Sequence, residues 1–286
     1  MITVTDLYKN YNGLQVLKGV NFNVNKGDIY GFIGRNGAGK STTLNILTGL
    51  ISQTSGSMKI SNKQIGYLPE SPMFYDYMTA TEYLKFIGTL KKYPTLMKRT
   101  EELLELVGLS YAKNKRIKTY SRGMKQRLGL ASVLFHDPEL LLLDEPSSAL
   151  DPQGRKDILD ILLTLKTQGK TIFFSTHILD DVERVCNKIA ILDDGIIKLE
   201  STVKELVTQY EDPIYKITTS TPTDISLLKE IKQIVDVKKE NDEYILYLNQ
   251  HSDEILKQLT ALPITITSFN QKKSTLEDIF IRMVQS

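Results

Sequence analysis

Apolar positions change rhythm along the chain. Residues 28–33, 140–143 and 171–175 are mostly apolar in their middles, with no alternation. Such runs predict strands covered on both faces, as in a parallel sheet. They recur within a stretch, from Met1 to about Tyr210, where short β-like runs alternate with helical patterns, the rhythm of an α/β domain with a largely parallel core sheet. Between residues 73 and 120 the period lengthens. Tyr83, Leu84, Ile87 and Leu90, then Leu103, Leu104, Leu106 and Val107, recur at helical spacing and predict a mostly helical insertion, bounded at about 73–135. After residue 210 the pattern shifts again. Residues 213–219 alternate like a strand, 224–231 look helical, 234–238 and 244–248 read as a hairpin around Glu240-Asn241-Asp242, and a helix–strand pair follows to Phe269. The expectation is a small βαββαβ unit closed by a helix over 274–284, with Lys238-Lys239-Glu240 as a solvated turn.

Composition supports a folded, soluble chain. It has 286 residues, 41% apolar and 24% charged, close to the globular average. At about 150 residues per domain, that length suggests two domains. Thirty-six Lys and Arg against 34 Asp and Glu leave a net charge of +2, too small an excess for a dedicated nucleic-acid binder. Cys186 is the only cysteine, which excludes an intrachain disulfide or a multi-cysteine metal site and fits a reducing compartment. Its spacing after Ile178, Val182 and Val185 marks it as a core residue. The start lacks the apolar h-region of a signal peptide, and no stretch approaches the roughly 18 to 20 apolar residues of a membrane span. Work at a membrane would therefore require another polypeptide.

Three segments carry candidate chemistry. Gly34-Arg-Asn-Gly-Ala-Gly-Lys-Ser41 fits the phosphate-loop pattern, with a predicted strand before it and a helical pattern over 42–50 after it. Its glycines let backbone N–H groups turn toward phosphate oxygens, and the helix start adds a positive dipole end. Lys40 would reach the β- and γ-phosphates, and the Ser41 hydroxyl would ligate Mg²⁺. The second segment, Leu140-Leu-Leu-Leu-Asp-Glu-Pro146, delivers two carboxylates at the end of a buried strand. Burying two adjacent acids without a cation is costly, so Asp144 is expected to hold Mg²⁺ through a water while Glu145 polarises the attacking water. The third is His177, which follows the run at 171–176 and would reach the same sheet edge if that strand is parallel to the others. It is read as a γ-phosphate sensor.

Together these residues resemble the nucleotide-binding subunit of ABC transporters, over about residues 1–210. Residues 34–42 are similar to Walker A, 140–145 to Walker B, Ser148-Ala-Leu-Asp151 to the D-loop and His177 to the switch histidine. Tyr120-Ser-Arg-Gly-Met124 stands at the place of the Leu-Ser-Gly-Gly-Gln signature, keeping Ser121 and Gly123 while Arg122 and Met124 depart from it. The Q-loop position is Glu70 rather than Gln. A carboxylate there can still reach Mg²⁺ but changes the charge of the site.

The resemblance implies an α/β P-loop NTPase of ABC type with a helical subdomain, followed by a small α+β accessory domain at 212–286 of the kind often seen on subunits of bacterial exporters. It puts Tyr11 on the adenine and places Val16, Asn36, Gly37, Ala38, Gly39, Lys40, Ser41, Thr42 and Asp151 in the nucleotide-binding set. Ser121 and Gly123 would grip the γ-phosphate held by an opposite subunit. Ser41, Glu70 and Asp144 would hold the metal, and Glu145 and His177 would be catalytic. The implied cofactors are ATP and Mg²⁺. The implied partners are a second ATPase subunit, as a homodimer formed on ATP binding, and a membrane permease that holds the chain at the cytoplasmic face of the cell membrane. Phe74 and Tyr75, just after the Q-loop, are candidate contacts for that permease. The competing class is a soluble ABC ATPase acting on ribosomes or DNA. Its members carry two nucleotide domains or long coiled-coil insertions, and neither is legible here.

Overall fold

β1 (Ile2–Tyr11) and β2 (Leu14–Val24) form a hairpin around Asn12 and Gly13. Their φ angles of 48° and 93° are the left-handed pair that a tight two-residue hairpin turn demands. The chain continues through β3 (Ile29–Ile33), α1 (Lys40–Leu47), β4 (Ser55–Ile60) and β5 (Ile65–Leu68), then through three helices, α2 (Ala80–Thr89), α3 (Leu96–Leu106) and α4 (Arg122–Leu134). It returns through β6 (Leu140–Asp144), α5 (Pro152–Thr167), β7 (Thr171–Thr176), α6 (Leu179–Val185), β8 (Lys188–Asp193) and β9 (Ile196–Thr202). This computed structural model describes all residues except 62, 63, 91, 92, 210, 211, 242, 253, 273, 274 and 280–286. The chain divides into two compact units, Met1–Val203 and Lys204–Ser286.

In the first unit, β5-β6-β7-β3-β8-β9 form one sheet, parallel except for β9. β3, β6 and β7 are buried at every position, which is why their sequences read as apolar runs and not as alternations. A second, antiparallel sheet, β2-β1-β4, had no counterpart in the sequence reading. It contributes Phe22 to an aromatic cluster on the main sheet, where Phe173 lies 5.5 Å from Phe22, 5.5 Å from Tyr30 and 5.2 Å from Phe32. Cys186 is buried at the end of α6, and burial pushes its thiol well above the ordinary range.

The helices between β5 and β6 follow from local signals. Thr79 and Glu82 form a capping box at the start of α2, the Glu82 carboxylate accepting from the Thr79 N–H at 2.7 Å and the Thr79 hydroxyl from the Glu82 N–H at 3.2 Å. The helix predicted over 42–50 runs instead from Lys40 to Leu47, because Gly39, with φ of 108°, is the residue at which the loop turns into the helix.

In the second unit, α7 (Val203–Gln209), which begins at the division, precedes β10 (Ile214–Thr219), α8 (Ile225–Lys229), β11 (Ile234–Glu240), β12 (Glu243–Leu248), α9 (Ile255–Thr260) and β13 (Ile266–Gln271). The order β11-β12-β10-β13, all antiparallel, is the arrangement of a ferredoxin-like βαββαβ unit. Tyr215, Ile217, Tyr244, Leu246, Leu228 and Leu259 form its core. The Tyr244 hydroxyl accepts from the Thr223 N–H at 2.7 Å and donates to the Thr223 carbonyl at 3.0 Å, so the ring is buried with its polar end satisfied. Lys238-Lys239-Glu240 belongs to β11, correcting the reading of it as a turn. Lys238 and Lys239 lie over the rings of Tyr247 and Tyr244, and the turn itself begins at Asn241, with φ of 53°. Asp242 and most of the helix expected over 274–284 lie outside the described residues. Among the described residues, no helix is long and apolar enough to cross a membrane.

Phe173 joins both sheets of the first unit and is fully buried. Phe173→Ala is therefore expected to destabilise that unit by about 3–5 kcal/mol, seen as a lowered midpoint for loss of near-ultraviolet circular dichroism in urea.

Candidate functional site

Register decides what meets at the sheet edge. Ile33 lies opposite Thr176, and Asp144 opposite Ser175. Gly34, Glu145 and His177 therefore leave the sheet side by side at the carboxyl ends of parallel strands, where ligands of open α/β sheets bind. The Gly34 N–H donates to the Thr176 carbonyl at 3.3 Å, and the Glu145 N–H to the Ser175 carbonyl at 3.2 Å.

The loop between β3 and α1 has room only for glycine at its close approaches. A Cβ on Gly34 would stand 2.5 Å from the Leu192 carbonyl oxygen, and one on Gly39 2.7 Å from the Leu17 side chain. α1 starts with no side-chain cap, so its first N–H groups and its positive end are free to serve an anion. Lys40, almost fully buried, donates to the carbonyls of Gly34 at 2.7 Å and Arg35 at 3.2 Å, and its Nζ lies 3.2 Å from Glu145 Oε1.

Glu145 is held on both sides. Its other oxygen, Oε2, accepts from His177 Nδ1 at 2.9 Å, a role that fixes Nδ1 as the protonated nitrogen. Oε1 is buried and, despite its proximity to Lys40, is not aligned in a hydrogen bond. The Glu145 backbone has a φ of 47°, uncommon outside glycine. Ser175 supports both acids: its hydroxyl accepts from the Glu145 N–H at 3.0 Å and donates to Asp144 Oδ1 at 2.6 Å. Asp144 also acts at a distance. The Tyr67 phenol is pushed up by burial and then by the Asp144 charge.

A cavity of about 330 Å³ opens over the loop. Of the expected residues it is lined by Val16, Asn36, Gly37, Gly39, Lys40, Ser41, Thr42, Glu70, Glu145 and His177. Ala38 and Asp144 are buried and are not among the lining residues. Tyr11 is not part of it: at the end of β1 the ring is 43% exposed, with Lys9 Nζ 4.6 Å from its centroid. Ser121, Gly123 and Asp151 also lie outside it. Ser121 caps α4, its hydroxyl accepting from the Met124 N–H at 3.2 Å, and Asp151 caps α5 by accepting from the Gly154 N–H at 2.9 Å. The two caps are neighbours, since a Cβ on Gly123 would meet Leu150 at 3.8 Å.

Two further residues belong to the site, Ser148, expected only as part of the D-loop, and Ser175. Ser148 lines the cavity with a buried hydroxyl that has no hydrogen-bond partner, brought there by a turn in which its N–H donates to the Glu145 carbonyl at 3.2 Å. Ser175 is a polar residue in the buried run of β7, directly after Ile172, Phe173 and Phe174, and that contrast is its signal in the sequence. For a divalent ion, the candidate donors are the Ser41 hydroxyl and the Glu70 carboxylate of the lining and the buried Asp144 carboxylate. All are oxygens, the set that suits Mg²⁺ shared with phosphate.

Residues 17–148 match the family model described as ABC transporter, and residues 202–284 match that of the C-terminal domain of DrrA1-3-like ATP-binding proteins. The chain is 38% identical to the uncharacterized ABC transporter ATP-binding protein YxlF of Bacillus subtilis (strain 168), over 100% of both chains. The chain belongs to the ABC transporter ATP-binding proteins. It is also 35% identical to the bacitracin transport ATP-binding protein BcrA of Bacillus licheniformis, over 99% of this chain and 97% of that one. Among solved structures it resembles the dimeric, post-hydrolysis ATP-binding cassette MJ0796 bound to ADP and Pi. There the identity is 27%, the TM-score 0.65, and the match covers 71% of this chain and 99% of that one. As an ABC ATPase, the chain binds and hydrolyses ATP.

Ser175→Ala strips a donor from Asp144 and an acceptor from the Glu145 N–H inside the protein. The expected cost is about 1–3 kcal/mol of stability in the first unit, measured by urea denaturation.

Proposed function

We propose that the chain powers a separate membrane permease, as the ATPase subunit of an exporter, by closing as a dimer around two molecules of Mg-ATP. The observation that carries the hydrolytic part is the buried Glu145, set between Lys40 and His177 at the mouth of the phosphate loop. Lys40, Asn36, Gly37, Ala38, Gly39 and Thr42 hold the phosphates, and Tyr11 and Val16 face the base. Ser41, Glu70 and Asp144 hold Mg²⁺, which when bound neutralises phosphate charge.

Entering phosphates draw Lys40 away from Glu145. The freed carboxylate takes a proton from a water as that water attacks the γ-phosphorus, and the bond to the leaving β-phosphate oxygen breaks to give ADP and phosphate. His177, anchored through Nδ1, contacts the γ-phosphate. Ser121 and Gly123 of a second copy cover that phosphate from the far side, and Asp151 shapes the contact between the copies. Neighbouring caps at Ser121 and Asp151, outside the cavity of their own chain, support this reading.

An exposed apolar patch supports the permease. Met73, Tyr75 and Tyr77 are 90%, 47% and 64% exposed, with the Tyr75 ring 5.8 Å from Tyr77 and 5.7 Å from Phe86. Such patches mark interaction surfaces. Phe74, packed edge-on against Tyr83 at 5.1 Å, supports the patch from below. Docking here holds the chain at the cytoplasmic face. Residues 1–210 act as the nucleotide-binding domain, with the insertion at about 73–135, and 212–286 as the accessory domain. Export is favoured by the likeness to BcrA and by the match of the C-terminal domain.

Glu145→Gln tests the chemistry. It keeps the shape but loses the charge that polarises water, so hydrolysis should fall by at least ~10² to 10⁴ while ATP binding survives. The variant should accumulate as an ATP-dependent dimer in size-exclusion chromatography with Mg-ATP. Hydrolysis at the native rate would place the base elsewhere. Lys40→Ala should instead lose both hydrolysis and tight ATP binding, measured by nucleotide titration, because the cation facing the β- and γ-phosphates is gone.

A further inference from the structure

Asp181 is fully buried on α6, four residues beyond His177, and takes no part in the chemistry described above. Its two oxygens reach in different directions. Oδ2 accepts from the Ser147 hydroxyl, and Oδ1 accepts from Arg155 Nε. Ser147, also buried, lies two residues after Glu145, while Arg155 lies on the first turns of α5, four residues after the cap Asp151. One carboxylate thus grips both ends of the segment from Ser147 to Arg155 and ties them to the helix that follows His177.

That segment needs a restraint. Glu145 and Ala149 both have left-handed backbones, with φ of 47° and 51°, a conformation that non-glycine residues rarely adopt. Within the same turn, Ser148 Oγ and Glu145 Oε1 are buried without hydrogen-bond partners while their residues line the cavity. Ser148 Oγ has no hydrogen bond of its own and Glu145 Oε1 has only the unaligned Lys40 beside it, so the backbone of the turn, together with the His177 bond to Glu145 Oε2, sets where both point. The contacts that fix that backbone from outside are those of Ser175 at one end and of Asp181 through the rest.

We propose that Asp181, through Ser147 and Arg155, is a positioning residue for hydrolysis: it holds the turn carrying Glu145 and Ser148 in register with His177. The proposal rests on the reading of Glu145 as the base. Its signature is a defect in turnover without a defect in binding, because none of the three residues belongs to the phosphate loop.

The test compares Ser147→Ala, Ser147→Thr, Asp181→Asn and the Ser147→Ala/Asp181→Asn double variant in the full chain, measuring kcat and KM for Mg-ATP hydrolysis and equilibrium ATP binding. Slight misplacement of a reacting group costs up to ~10² in rate, so Ser147→Ala and Asp181→Asn should lower kcat by roughly 10- to 100-fold. KM and ATP affinity should stay within about twofold. The double variant should be no slower than Asp181→Asn alone, since both break one network. Ser147→Thr, which keeps the hydroxyl, should recover most of the rate. Native kcat in Ser147→Ala, or ATP affinity falling in step with kcat, would overturn the proposal. Should Asp181→Asn fail to fold, the two Ser147 variants decide alone. Glu145→Gln separates the two readings: if it hydrolyses normally, both fall, whereas an inactive Glu145→Gln beside a native-like Ser147→Ala removes only the clamp.

Discussion

Because Ile33 lies opposite Thr176 and Asp144 opposite Ser175, the chain leaves β3, β6 and β7 at one level of the sheet. Side chains alternate faces along a strand, so a slip of one residue in either pairing would turn Asp144 or the end of β7 to the opposite face. The slip is prevented by burial. All three strands are covered on both faces, and their large residues, Phe32, Leu142 and Phe173 among them, would have to leave filled positions. The aromatic core therefore fixes the register, and the register brings Lys40 together with a glutamate and a histidine that lie more than a hundred residues further along the sequence.

The electrostatics of that meeting are close to balanced. A buried carboxylate is expensive unless its charge is answered, and Glu145 has a cation 3.2 Å from one oxygen and an imidazole N–H 2.9 Å from the other. Lys40 is itself buried, donates to two loop carbonyls and faces this carboxylate as an ion pair. In the proposed mechanism, phosphates entering the loop offer Lys40 a stronger anionic partner, and Glu145 then keeps only the histidine. Under the proposed mechanism, the residue that binds the nucleotide and the residue that cleaves it are linked through one ion pair, so occupancy of the loop changes the environment of the base.

Local signals in the sequence sufficed for the phosphate loop, the three buried strands, the capped helices of the insertion and the alternation of elements in the second unit. What escaped had non-local causes. The β2-β1-β4 sheet is hidden because register shifts near Asp6, whose φ is 47°, break the alternation of β1, and because β4 reads Ser-Gly-Ser-Met-Lys-Ile, more turn than strand. Ser175 and Asp181 escaped for another reason. Their partners lie 26 to 34 residues away, and a serine or aspartate in a buried run declares a need for a partner without saying which. Lys238-Lys239-Glu240 misled because the stems of lysines can cover aromatic rings in a strand, so a run of charge does not by itself mean a turn.

The second unit follows a different logic from the first. Among the described residues its core cluster comes from β10 to β13 and the segments between them, and no group of three or more His, Cys, Asp and Glu side chains that could hold a metal ion occurs. The buried polar network around Glu145 is drawn entirely from residues of the first unit. Function lives in sites grafted on folds. Under the proposed reading, the residues that bind and cleave ATP within one chain all belong to the first unit, and the second carries none of them.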